Sequence, residues 1–356
     1  MSRKSIILFN LGGPDSLDAV KPFLKNLFSD PAIIKAPGLV RWCLARFISS
    51  RRAPLARAIY AEMGGRSPIV PETEAQAEAL VKSLQEKAPQ HEWQAVIAMR
   101  YWHPFADAAA RAVHEFGPDE IILLPLYPQY STTTTGSSVQ DWMRAAREAE
   151  IDVPTTTICC YADEPGFVMS LAAGTIEAVR RARETAPDAP VHVLFSAHGL
   201  PKRVIESGDP YQWQVERTVA AVRAALDGDV SVDAADYVTC YQSRVGPLEW
   251  IGPAADAAIE AAGKAGAAIV VVPVAFVSEH SETLVELDIE YRKLAEKAGA
   301  AAYERVPAVG TGLAFIDGLA RQVIAVQGRG GIQAGGKKVS NTRVCPQSQS
   351  CCALAE

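Results

Sequence analysis

EIILLPLYPQY, residues 120–130, and AAIVVVPVAFVSEH, residues 267–280, carry one pattern twice. In each, an almost wholly apolar run reaches a proline and then opens into a polar exit. A half-exposed strand alternates apolar and polar residues, whereas a run without alternation belongs to a strand buried on both faces. Three further pairs extend the pattern outward. SIILFNLGGP (5–14) corresponds to VHVLFSAHGLP (191–201), WQAVIAMRYWHP (93–104) to DYVTCYQSRVGP (236–247), and TTTICCYADEP (155–165) to AAYERVPAVG (301–310). The SIILFNLGGP pair is offset by about 185 positions and the other three pairs by about 142 to 148. An insertion of roughly 40 residues in the first half accounts for the difference.

Ala-rich helical stretches separate the strands, which is the arrangement of a parallel sheet with helices on both faces. The expected fold class is α/β, with two similar doubly wound, Rossmann-like parallel-sheet domains facing a central cleft. The first spans residues 1–175 with an insertion at about 15–70, the second 176–325, and 326–356 form a linker and cysteine-rich tail. The linker text, GRGGIQAGGKK, is flexible by composition. In such sheets ligands sit at the carboxyl ends of the strands, so the exit loops are where chemistry is expected.

The chain has 356 residues, a net charge of −6 and 49% apolar residues, enough for two cores and without the basic field that nucleic-acid binding needs. Its first apolar run, SIILFN, is too short for a signal-peptide core, and no run is long enough to span a bilayer. A cytoplasmic location is expected, with attachment to the inner face of the membrane left open. Seven cysteines without a secretion signal argue against a disulfide framework and for metal binding where they cluster, as Cys345, Cys351 and Cys352 do in CPQSQSCC.

FVSEHSETLVELDIEY (276–291) follows one of the buried strands with four glutamates and a histidine. At α-helical spacing Glu279, Glu282, Glu286 and Glu290 share one stripe flanked by apolar residues. Such a row needs a cation or raised pKa values beside it. His280 lies within it, and His198 ends a second apolar strand in FSAHGLP, where a neutral imidazole can take a proton. Histidine with carboxylates suits Fe2+ or Zn2+. HExxH is absent, which excludes the zinc-protease pattern, and neither GxGxxG nor GxxxxGK[ST] supports nucleotide binding. YPQYSTTTTGSS is a hydroxyl-rich exit that can receive an anion or cap a helix.

Residues 34–70 form the one locally basic and aromatic region, mixing Trp42, Phe47, Ile48, Leu55 and Tyr60 with Arg41, Arg46, Arg51, Arg52 and Arg57. Pro54 and the Gly64-Gly65 pair divide it into what reads as short helices forming a flap, able to lie on a lipid surface or hold ligand carboxylates.

Together LFNLGGP, GGRSPI, MRYWHP, LYPQYSTTTTGSS, FSAHGLP, YQSRVGPLEWIGP and FVSEHSETLVELDIEY resemble, in this order, the motifs of the ferrochelatase family over residues 5–320. The resemblance implies a chelatase-like enzyme that inserts Fe2+, its substrate, into protoporphyrin IX as the last step of heme biosynthesis. It implies His198 as proton acceptor or metal ligand, Glu282 and Glu286 as proton-relay or iron-guiding groups, and Glu279 and His280 beside them as metal-site residues. Leu11, Tyr101 and Trp250 are similar to residues that press on the porphyrin. Arg57, Tyr60, Ser67 and Ser131 are similar to propionate donors, and Arg100 with Tyr101 to a metal entry site. The tail resembles that of members carrying a [2Fe-2S] cluster, with Cys345, Cys351 and Cys352 as ligands and Cys159 or Cys160 as the fourth. Peripheral membrane contact through residues 33–60 follows from the same likeness. Coproporphyrin as substrate, or a non-catalytic tetrapyrrole- or metal-binding protein, are the competing readings. The oligomeric state is open, a homodimer among the options.

Overall fold

A computed structural model describes residues 2–232, 235–246 and 248–355. It divides into two compact units. The first runs to Cys160 and adds Leu319–Gly335 and Val339–Thr342; the second comprises Tyr161–Gly318, Gly336–Lys338 and the tail from Arg343. The helix Pro165–Thr185 therefore belongs wholly to the second unit, where the sequence reading had divided it at residue 175.

In the first unit β1 (Ser2–Asn10), β2 (His91–Met99), β3 (Glu120–Pro125) and β4 (Thr155–Ile158) form a parallel sheet in the order β2-β1-β3-β4. In the second, β5 (Val191–His198), β6 (Asp236–Gln242), β7 (Ala268–Pro273) and β8 (Ala302–Arg305) give β6-β5-β7-β8, again parallel. The same order twice is the structural counterpart of the repeated strand exits. β3 and β7 are buried at every position, because helices cover both faces.

Two expectations are corrected. Gly331–Gln333 is a strand, β9, pairing parallel with β4, so the glycine-rich segment is not a loose linker. The insertion contains one 25-residue helix, Gly38–Glu62, which runs through Pro54. Proline deprives the carbonyl four residues earlier of its partner, and that residue, Ser50, is exposed, where solvent can meet the carbonyl. Ala45, Ser49, Ala53 and Tyr60 form the buried stripe, and Ala53 and Tyr60 pack in one core cluster with Val20, Phe23 and Leu24 of the helix Val20–Ser29. Leu39, Trp42, Phe47 and Leu55 are left more than half exposed, with the Arg46 guanidinium 5.0 Å from the Trp42 ring centroid. Among the described residues no helix is long and apolar enough to cross a membrane.

Candidate active site

His198 ends β5, and its Nδ1 lies 3.0 Å from Glu282 Oε2. A carboxylate accepts, so Nδ1 carries the proton in the neutral ring and Nε2 keeps its lone pair. Trp250 stands edge-on to the imidazole at 6.4 Å, and the Tyr211 hydroxyl donates to the His198 carbonyl at 3.0 Å. Burial alone would lower the imidazole's pKa, but the charge of Glu282 and its hydrogen bond carry it above the ordinary 6.5. Burial would likewise raise Glu282, yet His198 and His280 hold it well below the usual carboxylate range. His280 places Nε2 3.6 Å from the same Glu282 oxygen, while its Nδ1 donates to the Ser278 carbonyl at 3.1 Å.

Glu282–Glu290 is a π-helix, not the α-helix that the spacing suggested, and its closing bond runs from the Tyr291 N–H to the Glu286 carbonyl. Such helices are rare and recur at functional sites. In the wider turn a four-residue step falls short of a full rotation. Glu282 and Glu286 remain neighbours, while Glu290 ends exposed rather than on the predicted stripe.

Glu286 accepts from Gln242 Nε2 at 3.1 Å, Ser243 N at 2.9 Å, Ser243 Oγ at 2.5 Å and Tyr291 Oη at 3.0 Å. Its pKa is nonetheless raised, first by burial and then by the charge of Glu282. Ser243 adopts φ +61°, a left-handed conformation that costs a non-glycine residue energy and here aims both its donors at one carboxylate. A cavity of about 730 Å3 opens beside Glu286, lined also by Tyr291, Trp250, Arg244 and Asp256.

Glu279 accepts from Arg305 NH1 at 2.8 Å and from Ala308 N at 2.9 Å, so its charge is matched by a neighbouring guanidinium. Among the described residues no three His, Cys, Asp or Glu side chains gather to hold a metal.

The first unit carries the remaining predicted residues. Tyr101 is core rather than surface: it is 1% exposed and donates to Asp30 Oδ2 at 2.9 Å. Arg100 meets the same oxygen at 2.9 Å and bonds Ser137 Oγ through Nε at 2.7 Å. Leu11 packs between two core clusters. Ser67 is buried against the Gly-Gly turn, where a Cβ on Gly13 would come within 2.5 Å of it, which explains why glycine is needed there. Tyr60 is buried too, and Ser131 is fully so, its hydroxyl shared with Thr133 at 2.8 Å. Arg57 is exposed and spends Nε on the Leu17 carbonyl.

Four cluster ligands were expected, three from the tail and either Cys159 or Cys160. Cys159 and Cys160 lie in the first unit with sulfurs 3.5 Å apart. In the second, a hydrogen bond from Cys345 lowers the Cys352 thiol to about 6, while Cys351 Sγ donates to the Ser207 carbonyl at 3.2 Å. The tail thiols therefore fit a thiolate-held cluster only in part, with two side by side and the third turned to a backbone oxygen.

Sequence reading missed Gln242, Ser243, Tyr291, Arg305 and Asp30. Gln242 and Ser243 stand in the repeated exit DYVTCYQSRVGP, and that was the available signal.

A family profile described as Ferrochelatase matches residues 3–326. A protein named Ferrochelatase from Caulobacter vibrioides (strain NA1000 / CB15N) is 52% identical over 319 residues, covering 90% of this chain and 89% of that one. One of the same name from Phenylobacterium zucineum (strain HLK1) is 49% identical over 350 residues, covering 98% and 97%. Among solved structures, SirB from Bacillus subtilis with Fe3+ aligns with a TM-score of 0.49 at 12% identity, over 92% of this chain and 97% of that one.

Proposed function

Because the chain belongs to the ferrochelatase family, we propose that it inserts Fe2+ into protoporphyrin IX to form protoheme, as a lyase that releases two protons per turnover. The observation that carries the mechanism is the His198–Glu282 pair. With Nδ1 committed to Glu282, Nε2 accepts a pyrrole proton: the N–H bond breaks, its electron pair stays on the pyrrole nitrogen, and that nitrogen takes up Fe2+. The carboxylate stabilises the imidazolium so formed. Glu286, four residues from Glu282 and held at a raised pKa, takes the proton onward toward the cavity beside it. A second N–H is lost the same way.

Arg57 is the donor best disposed toward a substrate propionate, since its guanidinium is exposed with one nitrogen spent. The exposed apolar face of the helix Gly38–Glu62 rests on a membrane surface from the cytoplasmic side, reversibly, with Arg46 and Arg51 among its aromatic residues. Cys345, Cys352 and a reoriented Cys351 are the tail thiolates that would hold a [2Fe-2S] cluster. Such a centre would supply structure, and none of the proton steps passes through it.

The test is anaerobic incubation with Fe2+ and either protoporphyrin or coproporphyrin, following the visible spectrum. Faster insertion into protoporphyrin is expected. Equal or faster insertion into coproporphyrin would overturn the substrate assignment.

A further inference from the structure

We propose that Arg305 is a positioning residue for metal insertion, a single guanidinium that ties down the π-helix and thereby keeps Glu282 and Glu286 in place beside His198. Arg305 is the last residue of β8, and its side chain is 9% exposed. Nε and NH2 meet Asp288 Oδ1 and Oδ2 at 2.8 and 2.7 Å, a two-pronged contact inside the π-helix. NH1 reaches Glu279 Oε1 at 2.8 Å, ahead of the helix. One rigid fork thus brackets the segment that carries both functional glutamates. The Ala308 N–H donates to the same Glu279 oxygen at 2.9 Å, so the strand end and the loop after it act together on that bracket.

The π-helix supplies the reason such a bracket is needed. Its geometry is disfavoured against an α-helix of the same sequence, and relaxation to the tighter turn would rotate Glu286 away from Gln242 and Ser243. The planar fork of arginine serves two carboxylates at once, which a lysine ammonium cannot do with the same geometry. Stability alone does not explain the triad, because a partly buried ion group is often no more stable than well-packed apolar residues. Fixing a conformation is what remains.

The inference rests on the reading of His198, Glu282 and Glu286 as the proton-handling groups, so wild-type insertion is measured alongside every variant. Arg305→Lys is expected to stay folded, with the KM for protoporphyrin within about twofold of wild type and kcat down by about 10- to 100-fold. Amide exchange across residues 282–290 should quicken. Asp288→Asn, a milder change that leaves Glu279 paired, should move both readouts in the same direction. The neutral triple variant Arg305→Met, Glu279→Gln, Asp288→Asn should recover thermal stability without recovering kcat. Wild-type kcat in Arg305→Lys, or a triple variant that recovers kcat with its stability, overturns the positioning role. Failure of the wild type itself to insert metal would instead strike the enzymatic reading.

Discussion

Glu282 and Glu286 stand four residues apart, yet their surroundings push them in opposite directions: two imidazoles hold the first ionised, while burial and the first one's charge raise the second. An acceptor of one charge beside an acceptor of a proton is what a relay requires. The His198 base form grows as pH rises through its raised pKa, so the acid limb of kcat/KM should lie above 6.5. Removing the neighbouring charge leaves burial as the dominant influence, and burial lowers an imidazole. Glu282→Gln should therefore move the acid limb to lower pH while reducing kcat. A limb that stays in place or moves upward in that variant would show that Glu282 does not set the charge state of His198. His198 and both glutamates were legible because their residue types announce chemistry at strand exits. Gln242, Ser243 and Arg305 were not, since their partners lie in the π-helix and just before it, and side-chain pairing between segments distant in sequence leaves no local pattern.

At the scale of elements, the buried strands were legible because burial on both faces makes every position apolar. The π-helix was not: an insertion of one residue into the hydrogen-bond ladder changes no periodicity strongly enough to read over nine residues. Pro54 misled for a different reason, as proline marks a helix end by propensity while an exposed helix face tolerates it. The continuous helix that results presents Leu39, Trp42, Phe47 and Leu55 to water at 76%, 51%, 62% and 64% exposure. Wild-type protein is expected to float with anionic vesicles and to lose that binding with salt. Replacing Trp42 and Phe47 with serine should weaken partitioning by about two to four orders of magnitude, from the ~1.5–3 kcal/mol that burying each large side chain contributes. Equal flotation of wild type and variant would remove the membrane assignment.

For the whole molecule, the strand orders β2-β1-β3-β4 and β6-β5-β7-β8 restate the duplication that repeated exits had suggested. The short strand β9 escaped notice because three residues between glycines carry no pattern. It joins the sheet of the first unit, while the cysteines that follow belong to the second. If the tail holds a [2Fe-2S] cluster, protein purified without oxygen should absorb in the visible, and Cys345→Ser should lose that absorbance; a colourless, folded wild type contradicts it. The central claim is that one imidazole, oriented by one carboxylate, takes the pyrrole protons. Its direct measurement is the rate of anaerobic Fe2+ insertion into protoporphyrin by His198→Ala against wild type, with folding checked by thermal unfolding. The account predicts a folded variant slower by about 10²- to 10⁴-fold. A folded variant with full activity would contradict it.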